Sequence, residues 1–176
     1  VNLTLSYSYN NKLDQNTNKV LQISNFSFDV SIADMCRSIF NGSELHICPK
    51  SLIESPLDLL NYIKANEITV IDITPKLLES FFQFRQVLEK SFNNMRYLFI
   101  GSDVLTFETY SKIHDSLRSY HEIKILNCYG ITESVIDNCF FENRGNNHDK
   151  VPIGKARINT QIYLLNEFNS LVPYGS

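Results

Sequence analysis

Three features are missing from this 176-residue sequence, and each absence excludes a class of proteins. No apolar run approaches the length of about 20 residues that a membrane-spanning helix needs. The net charge is −3 and the basic residues form no cluster, whereas nucleic-acid-binding domains usually carry a basic face. The first residues lack the basic and apolar regions of a signal peptide. We therefore expect a cytoplasmic protein that binds neither a membrane nor nucleic acid.

Cysteine patterns typical of metal sites and disulfide frameworks are also absent. The four cysteines, Cys36, Cys48, Cys128 and Cys139, form no CxxC pair and lie at no metal-ligand spacing from a histidine. Widely spaced cysteines of this kind are typical of reduced thiols in a cytoplasmic protein.

Strand and helix signals alternate along most of the chain. Predicted strands cover residues 20–23, 45–48, 69–73, 97–100 and 123–126, and predicted helices cover 32–40, 56–65, a segment from Pro75, and 107–117. Repeated β-α-β units imply parallel strands joined by right-handed crossovers. The sequence thus predicts an α/β fold with a mostly parallel, flavodoxin-like sheet and helices on both faces.

The pattern changes after Glu142. Residues 143–149 form a polar, glycine-containing segment, which predicts a loop. Residues 160–165 then run apolar, as a strand of a separate antiparallel sheet would. We expect an α/β unit over residues 1–142 and the truncated start of a small β region over 143–176.

One segment combines several groups that suit a nucleotide. Asn127, Tyr129, Gly130, Thr132 and Glu133 lie at the end of a predicted strand, the place where open α/β sheets bind ligands. A ring can stack on a base, a hydroxyl can donate to a phosphate oxygen, and a carboxylate can bind Mg²⁺. The alternative is a plain helix start, with Thr132 as N-cap and Glu133 in the first turn.

Together with the segment Phe28-Asp29-Val30-Ser31, this motif resembles the adenylation domains of nonribosomal peptide synthetases. The segments 151–156 and 159–163 are similar to further parts of the same family, in the same order. Ile131 stands where the family usually has proline, and should loosen the turn because isoleucine does not fix φ.

The resemblance implies ATP-dependent activation of an amino acid as aminoacyl-AMP, with Mg²⁺, for transfer to a carrier protein. Tyr129 would stack on adenine and Asn127 would bind its exocyclic amine. Thr132 would contact the phosphate, and Glu133 would help to bind Mg²⁺. Gly130 belongs to the same nucleotide motif, and Ser102 and Asp103 take the place of the family's Gly-Glu beside the adenine.

The resemblance also implies a pocket for the amino acid. Asp29 would pair with the α-ammonium group, unless Asp29 or Ser31 merely caps the helix that follows. The other lining positions would be Val30, Ala33, Asp72, Phe99, Gly101, Cys128, Ile136 and Asp137.

Two of these positions, Asp72 and Asp137, predict a basic side chain on the substrate. Two carboxylates facing one pocket need a cation between them. A carboxylate–guanidinium contact gains on the order of 4 kcal/mol at an effective dielectric near 20, before desolvation. We expect arginine, or else ornithine or lysine, with Phe99 able to stack on a guanidinium or on an aromatic substrate. Asp72 could instead cap the helix after Pro75 or be solvated at the strand end.

Several of the family's segments have no counterpart in this chain. They are the glycine-rich phosphate loop, the aspartate that binds the ribose hydroxyls, and the catalytic lysine of the C-terminal domain. We therefore expect a central fragment of an adenylation domain, inactive when isolated.

Three other interpretations remain open at this stage. A fragment of an acyl- or aryl-CoA ligase would lack a partner for Asp29, since its substrate has no ammonium group. A non-catalytic α/β protein-binding module would have Asp72 and Asp137 paired with structural cations. A flavodoxin-like cofactor binder would need a phosphate loop after its first strand, and none is present.

Overall fold

The computed structural model describes residues 2–11, 13, 18–117, 123–142 and 151–173. The strands are β1 (Lys19–Gln22), β2 (Glu44–Ile47), β3 (Val70–Ile73), β4 (Tyr97–Ile100), β5 (Lys124–Tyr129), β6 (Cys139–Glu142) and β7 (Lys155–Ala156). The α-helices are α1 (Asn2–Asn11), α2 (Val30–Ser38), α3 (Lys50–Ile53), α4 (Pro56–Ala65), α5 (Pro75–Phe81), α6 (Arg85–Ser91) and α7 (Phe107–Ser116). Short 3₁₀ turns cover Ile39–Asn41, Phe82–Phe84 and Thr132–Ser134.

All the strands belong to one sheet in the order β2-β1-β3-β4-β5-β6-β7. β1 to β5 pair in parallel, and β6 and β7 extend the sheet in antiparallel fashion. The parallel part has the flavodoxin-like order 2-1-3-4-5, so the predicted fold class is confirmed. In such sheets the ligand crevice lies at the carboxyl ends of the strands, where the strand order reverses.

Two apolar layers cover the two faces of the sheet. One contains Leu59, Leu60 and Ile63 of α4 together with buried residues of α5, α6 and α7. The other contains Leu3 and Tyr7 of α1 with Ala33 of α2, and packs against Val70, Phe99 and other strand residues. Side chains alternate between faces along a strand, so Asp72 shares the α1–α2 face with Val70.

Helices α4 and α5 each begin at a proline that follows a capping hydroxyl residue. The Ser55 hydroxyl accepts from the Asp58 amide before α4, and the Thr74 hydroxyl accepts from the Leu77 amide before α5. Proline at the first helical position fits because its missing N–H would have no partner there. The five predicted strands and the helices at 56–65 and 107–117 are confirmed within a few residues.

Other predictions need correction or lie outside the described part of the chain. β5 continues to Tyr129, beyond the predicted strand at 123–126, so the nucleotide motif begins inside a strand. Residues 160–165 form no regular strand and make only one antiparallel bridge, between Leu165 and Leu171. The loop predicted at 143–149 lies outside the described residues, and the division into two regions stays a prediction. Among the described helices, none has the length and apolar character needed to cross a bilayer.

Candidate functional site

Two neighbouring cavities open at the carboxyl ends of the parallel strands. The first has a volume of about 520 Å³ and is lined by residues that follow β1, β3, β4 and β5 and by the start of α2. The second has a volume of about 420 Å³ and lies between the β4–α7 loop, the end of β5 and residues 151 and 153. Both cavities are lined by Ser102, Cys128 and Gly130, so they share a wall.

Seven of the nine predicted pocket residues line the first cavity: Asp29, Val30, Asp72, Gly101, Cys128, Ile136 and Asp137. The other two, Ala33 and Phe99, are fully buried behind it. A Cβ atom at Gly101 would lie 3.3 Å from the Cys128 carbonyl oxygen, so a side chain there would crowd the end of β5. The structure therefore brings the predicted pocket residues together, while their roles stay predictions.

Asp29 sits at the N-cap position of α2, yet its side chain makes no capping hydrogen bond. The half-buried carboxylate lines the first cavity instead. The Ser31 hydroxyl donates to the Phe28 carbonyl at 2.8 Å and accepts no N–H of the first turn among the described contacts. Neither Asp29 nor Ser31 therefore caps α2 through its side chain.

A buried guanidinium, that of Arg37, joins three carboxylates on the α1–α2 face of the sheet. Its Nη1 lies 2.9 Å from Asp34 Oδ1 and 2.6 Å from Asp72 Oδ2. Its Nη2 lies 3.1 Å from Asp137 Oδ2. The Tyr7 hydroxyl donates to the same Asp137 oxygen at 2.7 Å. Arg37 thus joins α2 to β3 and to the loop between β5 and β6.

Two aromatic rings lie against the same guanidinium. The Arg37 Cζ atom lies 4.6 Å from the ring centroid of Tyr7 and 4.2 Å from that of Phe99. Cations bind the faces of aromatic rings, and the attraction is stronger when water is excluded. The carboxylates and the rings together fix the position of the Arg37 guanidinium.

Burial is the largest influence on the pKa of two acids beside Arg37, Asp34 and Asp72. It raises the pKa of Asp34 well above the usual value, and Asp34 Oδ2 has no hydrogen-bond partner among the described residues. Burial also raises the pKa of Asp72 to about 6, against the lowering effect of Arg37 and with a further rise from Asp137. The single positive charge of one guanidinium thus cannot balance the negative charges of three ionised carboxylates.

The cation expected between Asp72 and Asp137 is therefore present, but it belongs to the protein. The substrate therefore does not have to supply it, because Arg37 contacts both carboxylates. Asp72 neither caps α5 nor is solvated, since Thr74 caps α5 and Asp72 is only 7% exposed. Phe99 does stack on a guanidinium, but on that of Arg37.

Sequence reasoning missed Arg37, Asp34 and Tyr7. A charged pair at positions 34 and 37 on the same helix as buried Ala33 was a usable signal, because residues 33 and 37 share one helix face. No comparable signal marked Tyr7, whose helix has no apolar periodicity that points to one buried face.

The second cavity contains all five residues predicted to bind the nucleotide: Ser102, Asp103, Asn127, Tyr129 and Gly130. The Asn127 amide group donates to the Pro152 carbonyl at 2.8 Å, which fixes its orientation. The Tyr129 ring is 49% exposed, as a ring that stacks on a base would be. Asp103 Oδ1 accepts from the Val104 amide at 2.7 Å.

The loop after β5 is a single 3₁₀ turn with Ile131, not Thr132, at the N-cap position and no side-chain cap. The helix-start alternative for Thr132 and Glu133 therefore has no support in the geometry. Thr132 lines the first cavity, whereas Glu133 is exposed and lines neither cavity. Ile131 has a φ of −131°, outside the range near −65° that proline would impose.

No group of three or more His, Cys, Asp or Glu side chains in the described part of the chain is arranged to bind a metal. Glu133 offers one exposed carboxylate beside the two cavities. One carboxylate fits Mg²⁺, which usually takes one or two from the protein and fills its other positions with water and phosphate oxygens.

Val135 and Ile136, in the same loop, have φ angles of 67° and 69°. Left-handed backbone costs a β-branched residue about 1–2 kcal/mol, whereas asparagine adopts it more readily. We expect Val135→Asn to raise the free energy of unfolding by about 1 kcal/mol, as measured by urea denaturation. Val104→Asn is the control, since Val104 is also exposed and has no positive φ. An equal effect of both substitutions would contradict the explanation by backbone strain.

Comparisons with known sequences agree with this geometry. The family model described as "AMP-binding enzyme" matches residues 1–176. Gramicidin S synthase 2 of Brevibacillus brevis is 29% identical over 178 aligned residues, which include 99% of this chain and 4% of that protein. Bacitracin synthase 2 of Bacillus licheniformis is 30% identical over 159 residues, 89% of this chain and 6% of that protein. The chain thus spans only a small part of these relatives.

Solved structures share the fold. IdnL1 superposes with a TM-score of 0.84 at 19% identity, over 97% of this chain and 35% of that one. The Vibrio cholerae adenylation domain AlmE, solved with glycyl-adenosine-5'-phosphate, gives a TM-score of 0.78 at 23% identity, over 96% of this chain and 31% of that one. The predicted resemblance to adenylation domains is confirmed, and the chain belongs to the family of AMP-binding enzymes.

Proposed function

We propose that the protein containing this chain joins an amino acid to ATP, giving aminoacyl-AMP and pyrophosphate for nonribosomal peptide synthesis. In this proposal residues 1–176 supply the amino-acid pocket and part of the nucleotide site. The observation that carries it is the wall shared by the two cavities at Ser102, Cys128 and Gly130. An amino acid in the first cavity and a nucleotide in the second would meet at this wall.

Asp29 is the group we propose for the α-ammonium of the substrate. Its carboxylate faces the first cavity, makes no capping hydrogen bond, and forms no ion pair among the described residues. Thr132 and Gly130 line the same cavity near its border with the second. An ammonium at Asp29 would leave the substrate carboxylate free to point toward that border.

The adenine is proposed to stack on the half-exposed ring of Tyr129. With its amide nitrogen bonded to Pro152, Asn127 keeps its amide oxygen as the acceptor for an exocyclic amine. Thr132 is proposed to donate to a phosphate oxygen, and Glu133 to supply a carboxylate oxygen to Mg²⁺, which would neutralise phosphate charge when bound.

For the side chain of the substrate we propose a basic group. The charged residues that line the first cavity are Asp29, Asp72 and Asp137, and no Lys, Arg or His is among its described lining residues. With Asp29 assigned to the α-ammonium, the other two acids face the side chain. Arg37 contacts both acids but does not line the cavity, so a basic side chain in the cavity would be a second cation at the same two carboxylates.

The pairing of Asp72 and Asp137 with Arg37 is the one observation that favours a non-catalytic protein-binding module. Both carboxylates nevertheless line the cavity, and the five nucleotide candidates line a second cavity beside it. A module that binds only protein requires neither cavity. We therefore prefer the enzyme, and we propose a carrier protein and the remainder of an adenylation domain as its partners, in the cytoplasm.

The proposal is tested by pyrophosphate exchange in a complete adenylation domain that contains residues 1–176. Amino acids should support exchange, whereas fatty and aryl acids, which lack the ammonium group, should not. Exchange that depends on a fatty or aryl acid would establish the acyl- or aryl-CoA ligase instead. The isolated chain should give none, because phosphate- and ribose-binding segments of the family are absent from it.

The role of Asp29 gives a separate prediction. We expect Asp29→Asn to raise the KM for the amino acid by about 10- to 100-fold, since a charge-assisted hydrogen bond contributes about 1.5–3 kcal/mol. The KM for ATP should stay unchanged. Asp58→Asn, an exposed change in the first turn of α4, is the control. An unchanged KM for the amino acid in Asp29→Asn would remove Asp29 from the site.

A further inference from the structure

We propose that Arg37 is a specificity-determining residue whose guanidinium occupies the place that an arginine side chain would need between Asp72 and Asp137. The pocket then accepts a basic side chain that ends in a small primary ammonium, as in ornithine, and discriminates against arginine. This inference rests on the proposed function of the first cavity and specifies its substrate.

The position of Arg37 follows from its helix. Long side chains on an α-helix point back toward the N-terminus, over the residue four positions earlier. For Arg37 that residue is the buried Ala33, whose small methyl group leaves room for the Arg37 side chain to pass over it. The guanidinium therefore reaches toward the N-terminal end of α2, where Asp29 and Val30 line the first cavity.

The guanidinium site has no room for a second planar cation. The rings of Tyr7 and Phe99 already contact the Arg37 group, at 4.6 and 4.2 Å from its Cζ atom, and lie edge to face against each other with centroids 5.8 Å apart. Both terminal nitrogens of Arg37 are used by carboxylates. A guanidinium from the substrate would thus find the bidentate place between Asp72 and Asp137 already taken by that of Arg37.

Charge still favours one small cation on the cavity side. Asp34 does not line the cavity, and its carboxyl group is fully buried beside Arg37. The two acids that do line it, Asp72 and Asp137, both contact Arg37, which carries only one positive charge. One of their two negative charges is therefore left without a partner from Arg37. Arg157 is the other buried cation nearby, 5.8 Å from the Tyr7 ring centroid, and it forms no ion pair with these acids among the described residues.

An ammonium suits that remaining place better than a guanidinium. It is compact, donates in three directions, and needs no planar, bidentate partner. The two carboxylates are each 7% exposed, which leaves them a narrow contact with the cavity. A short aliphatic chain with a terminal ammonium reaches such a contact without displacing Arg37.

The test is pyrophosphate exchange with ornithine, lysine, arginine and leucine in a complete adenylation domain that contains residues 1–176. In the unmodified protein we expect kcat/KM for ornithine to exceed that for arginine by at least about tenfold, a difference of about 1.4 kcal/mol. Arg37→Met should remove this preference through a lower KM for arginine, with the KM for ATP unchanged. Ala33→Phe, which fills the path of Arg37, should shift the preference in the same direction.

The outcomes separate the inference from the function on which it rests. Arginine used as well as ornithine by the unmodified protein would overturn the inference and leave amino-acid activation intact. Exchange with leucine alone would overturn the basic pocket, and exchange with no amino acid would overturn the proposed function. The comparison in the unmodified protein needs no variant, so it decides the matter even if Arg37→Met does not fold.

Discussion

Arg37→Met is expected to lower the free energy of unfolding by about 3–5 kcal/mol at neutral to alkaline pH. Removing one partner of a buried ion pair leaves the other charge buried without compensation, and the loss is of that size. Here Asp34, Asp72 and Asp137 would all lose their contact with the guanidinium. Methionine keeps most of the apolar volume, so the loss would report the charge and not a cavity.

The same substitution has a predictable dependence on pH. The pKa of Asp72 in the fold is about 6, and that of Asp34 is also raised, chiefly by burial. A carboxyl group with a raised folded-state pKa binds more protons in the fold than in the unfolded chain. Its contribution to stability is therefore complete below the unfolded pKa, near 4, and is lost as the pH rises through the folded value. Without Arg37 these pKa values rise further, so the variant should lose least near pH 5 and most near pH 8.

Urea unfolding of a complete adenylation domain containing the chain, repeated across that pH range, measures this effect. Arg85→Met is the matched control, because the ion pair of Arg85 with Glu89 is exposed. Exposed pairs contribute little, so the control should change stability by less than about 0.5 kcal/mol. A loss below about 1 kcal/mol for Arg37→Met at pH 8 would show that the ion cluster of Arg37 with Asp34, Asp72 and Asp137 does not stabilise the fold as expected.

Gly130→Ala is expected to disrupt both cavities together. A Cβ atom at this position would lie 1.5 Å from the Ile136 carbonyl oxygen and 2.8 Å from the Asp137 Cα atom. Backbone atoms cannot move aside as a flexible side chain can, so the loop from residue 131 to 137 must shift. That shift would displace Asp137 from Arg37 and Thr132 from the first cavity.

We expect this variant to lose pyrophosphate exchange by at least about 100-fold, equal to about 2.7 kcal/mol, and to lose stability by a few kcal/mol. Gly42→Ala is the control, since Gly42 has a φ of +66° but nothing within 4 Å of an added Cβ. Gly42→Ala should lower the free energy of unfolding by about 1 kcal/mol through backbone strain alone, without a change in the KM for the amino acid or for ATP. Normal exchange in Gly130→Ala would mean that the shared wall is not part of the site.

The sheet was predictable because its signals are local. β3 is a β-branched run and α4 and α5 each begin at a proline preceded by a hydroxyl residue. Such features depend on neighbours in the chain, and the structure has the elements where these features indicate them. The pocket residues were instead implied by the resemblance to adenylation domains, and seven of the nine line one cavity.

The ion cluster was not predictable in this way, because it depends on contacts distant in sequence. Arg37 meets Asp137 across 100 positions, and Tyr7 meets the same residue across 130. Sequence reasoning recognised that Asp72 and Asp137 required a cation, but it could not tell a residue of the chain from a substrate. A buried acid in a strand therefore indicates that a partner exists, not which molecule provides it.

The first cavity is proposed to bind an amino acid with a short basic side chain, next to the guanidinium of Arg37. A crystal structure of a complete adenylation domain that contains this chain, with a non-hydrolysable analogue of ornithyl-AMP, would show where that side chain lies. We predict the α-ammonium at the Asp29 carboxylate, the side-chain ammonium at Asp72 and Asp137, and Arg37 unmoved against the rings of Tyr7 and Phe99. An analogue bound with its side chain away from these acids, or with Arg37 displaced by it, would contradict the account.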